Sequence, residues 1–303
     1  MTDNLSPTGQ EIWEEGPAET GRKQNMLKEI WRRLKENPVA MISLGIIVIY
    51  YLVALCADFI VPYTDCFTMS AANRLLPPGG DFPFGTDGFG RDLFARMIHG
   101  SRTSLTLGFY TATITIGAAT LLGAACAYYG GLFDNIIMRI CDIFMCIPGI
   151  LLTLAMVAAL GAGRTNMLIA ISISSIPGST RGFRSLMLNV MANDYIMAAK
   201  SYGSRDLRII YKHVLPNVSA WIILSFMSSI PGMIMTVAGL SYLGMGITPP
   251  FPEWGVIIME GRMHINSAPH LLYIPTIIMT ILSMSFALLG DGLRDVFDPR
   301  LKR

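Results

Sequence analysis

Along this chain, runs free of Asp, Glu, Lys and Arg alternate with short charged stretches: residues 37–57, 103–133, 143–163, 165–180, 213–252 and 271–290. A bilayer core takes about 20 apolar residues per helix. Inside lipid the backbone must also satisfy its own hydrogen bonds, which favours helices. The pattern therefore predicts an all-α integral membrane protein with six transmembrane helices. The longest run, His213 to Pro252, crosses once with residues to spare at each end. The shortest, 165–180, contains Pro177-Gly178 and is expected to extend past Arg181, whose long side chain reaches back to the interface. Ala119, Gly123 and Ala127 repeat at four-residue spacing, which predicts one close helix–helix contact.

Composition strengthens the reading, with 52% hydrophobic residues, 15% charged residues and a mean hydropathy of +0.49. Soluble domains carry roughly 25% charged residues, so lipid is a partner. A net charge of +2 gives no electrostatic case for nucleic acid. Cys56, Cys66, Cys126, Cys141 and Cys146 lack metal-ligand spacing, and no disulfide framework is expected. The polar, mixed-charge first 36 residues do not read as a cleavable signal peptide. Basic residues collect on the cytoplasmic side of short loops. With both termini cytoplasmic, most of the 23 Lys and Arg residues fall inside, leaving Arg74, Arg91, Arg96, Arg102, Arg164 and Arg262 outside.

The expected division is a cytoplasmic segment at 1–37, a first transmembrane helix at 38–62, an extracytoplasmic loop at 63–101, a five-helix core at 102–291 and a cytoplasmic tail at 292–303. The outer loop contains Phe84-Gly85-Thr86-Asp87-Gly88-Phe89-Gly90-Arg91-Asp92, rich in turn residues. Asp92 to Ser101 then reads as a short amphipathic helix on the outer surface, with Leu93, Phe94, Met97 and Ile98 on its apolar side. This loop is either an ordered connector or a contact for a soluble carrier.

No ionisable residue falls near the middle of a charge-free span, whereas ion-coupled transporters place one at depth. Energy must come from elsewhere, or passage is passive. His99, His213, His264 and His270 form no His-Glu-x-x-His, and neither Gly-x-Ser-x-Gly nor Gly-x4-Gly-Lys-Ser/Thr occurs. Catalytic, cofactor and metal sites are therefore not expected in this chain. In the fifth span, Pro231-Gly232 interrupts the helix near its middle. Ser225, Met227, Ser229 and Met233 are candidate pathway-lining residues, the alternatives being serine bonds to their own helix and methionine packing.

The segment from Asp194 to Asn217 predicts two short helices about a hinge at Gly203. Ser204 is placed to cap the second helix. Leu207, Ile210 and Tyr211 share one expected face, Arg205, Arg208 and Lys212 point outward, and Pro216 starts the next span. Here the residues resemble a known family. Ala198, Ala199, Gly203, His213 and Pro216 fall at the spacing of the coupling motif of binding-protein-dependent ABC importer permeases. Further matches are Phe84 to Asp92, Tyr129-Gly130-Gly131, Pro148-Gly149, Ser241 to Gly246, Pro249-Pro250 with Trp254-Gly255, and Leu289 to Asp295 with Asp298-Pro299-Arg300. Together they look like the C-type subunit of oligopeptide, dipeptide and nickel permeases, over residues 30–303. Met197 stands where the wider class has Glu, and His213 where it has an aliphatic residue. A charge contact there is either absent or supplied by Asp194, Arg205 or Asp206.

The resemblance implies the type I ABC importer permease fold in a bacterial inner membrane. The chain would form half of a translocation pathway with a second homologous permease subunit as a heterodimer. Two ABC ATPase subunits, binding ATP and Mg, and an extracytoplasmic substrate-binding protein would complete the assembly. Residues 194–216 would dock on the ATPase through Met197, Ala198, Ala199, Gly203, Arg205, Asp206, Leu207, His213 and Pro216. Short peptides are the expected cargo, with nickel or another small solute as the alternative. A different class of reading is an ATP-independent channel or membrane enzyme whose inner loop is only structural. With no phosphate-binding loop of its own, the purified chain is expected to hydrolyse no ATP in a phosphate-release assay, and turnover by the chain alone refutes the assignment.

Overall fold

The computed structural model describes residues 26–297. The expected tail from 298 onward, with Asp298-Pro299-Arg300, and the first 25 residues of the expected cytoplasmic segment lie outside the described residues. Among the described residues every regular element is helical. They are α1 (Met26–Glu36), α2 (Pro38–Leu55), α3 (Ala57–Ile60), α4 (Leu93–Tyr129), α5 (Gly131–Met145), α6 (Gly149–Leu160), α7 (Arg164–Met191), α8 (Asp194–Ser201), α9 (Asp206–Ile209), α10 (Leu215–Tyr242), α11 (Trp254–Gly261) and α12 (His270–Phe297).

Four stretches are long and apolar enough to cross a bilayer: Pro38–Leu55, Leu93–Tyr129, Asp206–Tyr242 and His270–Phe297. The pair α5 and α6 makes a fifth if its two limbs count as one span, bent by 89°. The bend corrects the straight helix expected over 143–163. Pro148 lacks an N–H and disfavours helical geometry in the residue before it, so the chain turns at Cys146 to Pro148 and restarts at Gly149.

A second correction concerns the amphipathic stretch after Asp92. It is no separate surface helix but the opening turns of α4, whose first residues Leu93 and Met97 are buried. Asp92 caps the helix by accepting from the Phe94 N–H at 2.8 Å. Arg96 and Arg102, which interrupt the charge-free pattern, are neutralised in place. Arg102 meets Asp58 at 2.9 Å. Arg96 lies fully buried between Asp87 (2.6 Å) and Glu260 (2.5 Å), and Arg91 joins the same two carboxylates at 2.7 and 2.8 Å. The cluster fastens residues 84–92 to α4 and α11. Beside it, burial pushes the Cys66 thiol up to about 12.

The first expected span also ends sooner, at Leu55, with the short α3 following it. Helix α7 runs unbroken through Pro177 and past Arg181 to Met191. It packs most extensively against α4. Gly123 explains how: a Cβ there would sit 2.9 Å from the Arg184 backbone nitrogen and 3.0 Å from Phe183 Cβ. Ala119 and Ala127 are buried along the same seam. Ion pairs Asp134 to Arg184 and Asp142 to Arg181 tie α5 to α7.

The bundle has two distinct ends. At one, Arg164 donates to Thr103, Arg102 to the carbonyls of Ala54 and Leu55, and Trp254 Nε1 to Met97 O at 3.1 Å, gathering segments 56–92, 161–163 and 243–269. At the other lie the turn after Tyr129 and α8 and α9. The start of α2 points the same way, with Gly292 of α12 against Ala40. Removing one partner of a buried ionic cluster costs ~3–5 kcal/mol. Arg96→Met is therefore expected to lower the thermal unfolding midpoint of detergent-extracted protein, and an unchanged midpoint contradicts this account.

Candidate functional site

Helices α8 and α9 meet at Gly203, which holds φ at +72°. A side chain at that φ costs ~1–2 kcal/mol, so glycine suits the corner. The Gly203 N–H donates to Lys200 O at 2.9 Å and the Ser204 N–H to Ala199 O at 3.1 Å, closing the end of α8. Ser204 does not cap α9. Arg205 occupies that position, with no side-chain bond to the helix. Both arms seat on the bundle by apolar residues: Ile196 from α8 and Ile209, Ile210 and Val214 from the second arm pack among Ala124, Phe183, Met187 and Val218.

The expected shared face of Leu207, Ile210 and Tyr211 is split. Ile210 is buried, whereas Leu207 is 66% exposed and Tyr211 64% exposed. A turn of π-helix follows over Ile210–Val214, in which Leu215 N–H bonds to Ile210 O, five residues back, and it brings Val214 onto the buried side with Ile210. Pro216 follows immediately, in the first turn of α10. A proline ring clashes with the carbonyl four residues earlier, and a wider turn relieves that clash. The second arm thus passes into α10 without a break, Asp206–Tyr242 forming one stretch of 37 residues.

At the tip, Tyr202 is 90% exposed, and Met197 joins Leu207 and Tyr211 as exposed apolar surface. Ala198 is exposed and Ala199 half-buried, small enough to let another surface approach. Around this apolar tip stand the exposed Lys200, Arg205, Arg208 and Lys212, with Asp194 the exposed acid on α8. His213 is half-buried, its ring 6.5 Å from that of Tyr195. Asp206 accepts a hydrogen bond from the Tyr128 hydroxyl at 2.6 Å. Of the coupling residues expected from sequence, Met197, Ala198, Arg205, Asp206, Leu207 and Pro216 reach the surface of one elbow. Tyr128 was missed because it lies on another helix.

The pathway candidates separate into two groups. Ser225 and Ser229 line an open cavity of about 620 Å3 between α7 and α10, together with Ser179, Ser185, Ser228 and Trp221. Ser229 also donates to Phe226 O at 2.9 Å. Met227 and Met233 instead pack against the hydrophobic core. The α7 serines were not singled out, although Ser179, Gly182 and Ser185 recur at helical spacing.

Residues 119–303 match the family described as binding-protein-dependent transport system inner membrane component. Residues 25–78 match the N-terminal TM domain of oligopeptide transport permease C. A dipeptide transport system permease protein of Alkalihalophilus pseudofirmus is 39% identical over 275 residues, spanning 91% of this chain and 90% of that protein. A glutathione transport system permease protein of Pectobacterium atrosepticum is 38% identical over 276 residues, 91% of each. Among solved structures, a chain of the MetNI methionine ABC transporter in inward facing conformations is similar in fold. Its TM-score is 0.56 at 17% identity, covering 68% of this chain and 98% of that one.

No atom lies within 4 Å of a Cβ built on Gly203, so a side chain there strains the backbone without a clash. Gly203→Val is expected to leave membrane abundance unchanged and to lower uptake by the assembled transporter severalfold. Uptake at the unaltered rate, measured per amount of inserted protein, counts against the elbow as a working part.

Proposed function

Because the chain belongs to the family of binding-protein-dependent transport system inner membrane components, we propose that it forms half of the translocation pathway of an ATP-driven importer of short peptides. It is a multi-pass permease subunit of the bacterial inner membrane. In this reading a homologous second permease completes the pathway as a heterodimer, two ABC ATPase subunits bind ATP and Mg, and an external binding protein delivers cargo. The relatives named for dipeptide and glutathione transport support peptides over nickel or other small solutes.

The observation that carries the mechanism is the elbow's continuity with α10. A cleft that grips the apolar tip of Met197, Tyr202, Leu207 and Tyr211 acts on a rigid arm that passes straight into a span. Closure of a nucleotide-bound ATPase pair would tilt α10 and α7 and shift the population between inward-open and outward-open states. The basic residues around the tip suit a cleft with an acidic rim. Asp194, the exposed acid on α8, keeps a negative charge on the same short helix as Met197, which stands where the wider class has Glu.

The six-span topology with cytoplasmic termini belongs to the same proposal. It takes α2, α4, the bent α5 and α6 pair, α7, α10 and α12 as the crossings, with 102–291 as the core and 63–101 outside. Charge placement supports it, since the elbow end carries most of the basic residues. The end holding 56–92 and 243–269 then faces the binding protein. Ser225 and Ser229 become part of the pathway wall, while Met227 and Met233 serve packing. Detergent extraction of the tagged chain from its native membrane is expected to retain an ATPase with a phosphate-binding loop and a second permease. Recovery of a homo-oligomer that transports unaided would favour a channel instead.

A further inference from the structure

The end of α4 holds both arms of the elbow at once. Tyr128, in the last turn of α4, donates its hydroxyl hydrogen to Asp206 Oδ1 at 2.6 Å, in the first turn of α9. The same ring lies 4.8 Å from Lys200 Nζ, in the last turn of α8. The two partners sit on opposite sides of Gly203. A hydrogen bond to a carboxylate and a cation over an aromatic face are both directional, so one phenol side chain constrains the angle between the arms. Burial alone does not fix that angle. Ile196 and Ile209 seat each arm, but apolar contacts are non-directional.

We propose that Tyr128 is a positioning residue that locks the elbow angle and makes α4 move with it. The inference rests on the reading of residues 194–216 as a lever. Its consequence reaches the far side of the bundle. Helix α4 is unbroken for 37 residues, about 55 Å at 1.5 Å per residue. Its opposite end carries Arg96 in the buried cluster with Asp87 and Glu260, and the Met97 carbonyl that accepts from Trp254. A displacement imposed at the elbow is thereby delivered along α4 to residues 84–92 and α11, in parallel with the route through α10. The Gly123 seam carries α7 along with it.

The test uses the complete transporter, with both permeases, both ATPases and the binding protein, reconstituted in lipid vesicles. Cargo taken up and ATP hydrolysed are read together. Tyr128→Phe keeps the ring over Lys200 and removes only the hydroxyl, so its folding risk is small. It is expected to lower cargo imported per ATP by about three- to tenfold, the range for a partly exposed bond to a charged group. The ATPase should still co-purify in full. Asp206→Asn, which still accepts the bond, should retain more coupling than Asp206→Ala. Tyr128→Phe combined with Asp206→Ala should be no worse than Asp206→Ala alone. A purely structural role would lower complex yield and leave the ratio of import to hydrolysis unchanged, and that result overturns the proposal. Additive losses in the double variant overturn it as well. Failure of the unaltered chain to retain any ATPase would instead overturn the lever reading, and this inference with it.

Discussion

A bilayer interior offers no hydrogen bonds and almost no screening, so each charge on a long helix of this chain must either reach an end or find an opposite charge. The ion pairs follow from that constraint. Arg96 lies between Asp87 and Glu260, Arg102 meets Asp58, and Asp134 and Asp142 of α5 meet Arg184 and Arg181 of α7. Such pairs contribute little net stability, because desolvation offsets most of the attraction. What they fix is registry. The Arg91, Arg96, Asp87 and Glu260 cluster holds residues 84–92 and α11 to the head of α4. The pairs at the opposite end hold α5 against α7, where a slip of one turn would leave two carboxylates unpaired.

The same pairs explain what could and could not be read from the chain. Helices α2, α10 and α12 coincide with charge-free runs, so hydropathy alone finds them. The seam at Ala119, Gly123 and Ala127 was visible because small residues at this spacing have few other uses in a membrane helix. The charge-free run opens only at 103 although α4 starts at Leu93, because Arg102 and, before it, Arg96 interrupt it; Arg102 pairs with Asp58, and Arg96 is buried. The groups around Arg96 include Glu260, more than a hundred residues away in sequence. The bend before Gly149 was signalled by Pro148, but a proline inside a helix need not break it, as α7 and α12 show.

At the elbow, glycine and paired alanines marked the corner correctly, while the apolar face came out rotated. Helical periodicity of 3.6 residues puts Leu207, Ile210 and Tyr211 together. The buried side is centred on Ile209 and Ile210 instead, one π turn at Ile210–Val214 keeps Val214 on it, and Leu207 and Tyr211 are left outward. The proline that demands this turn was visible, but its effect on the preceding residues was not. The outcome matters chemically: an apolar surface that would have been used up inside the bundle is left free at the tip. A partner cleft of the kind proposed would have something to bury there, and burial drives association far better than the exposed basic residues around it.

Selectivity follows a different logic. The cavity between α7 and α10 is lined by serine hydroxyls set among the apolar Ile116, Phe183, Leu186 and Trp221, with no Asp, Glu, Lys or Arg among its lining residues. Such a wall can exchange hydrogen bonds with peptide amides of any sequence and cannot strongly favour one side-chain charge over another. Tight binding there would also slow release, since a cargo held firmly in one state must be freed by an equally large change in affinity. A weakly interacting wall therefore suits a chain whose work is passage, with recognition delegated to a carrier that binds tightly outside the membrane. Under the proposed reading, in which this cavity is part of the pathway, its sparse hydroxyls would limit discrimination within the span and the elbow would govern how often the wall is exposed to each side.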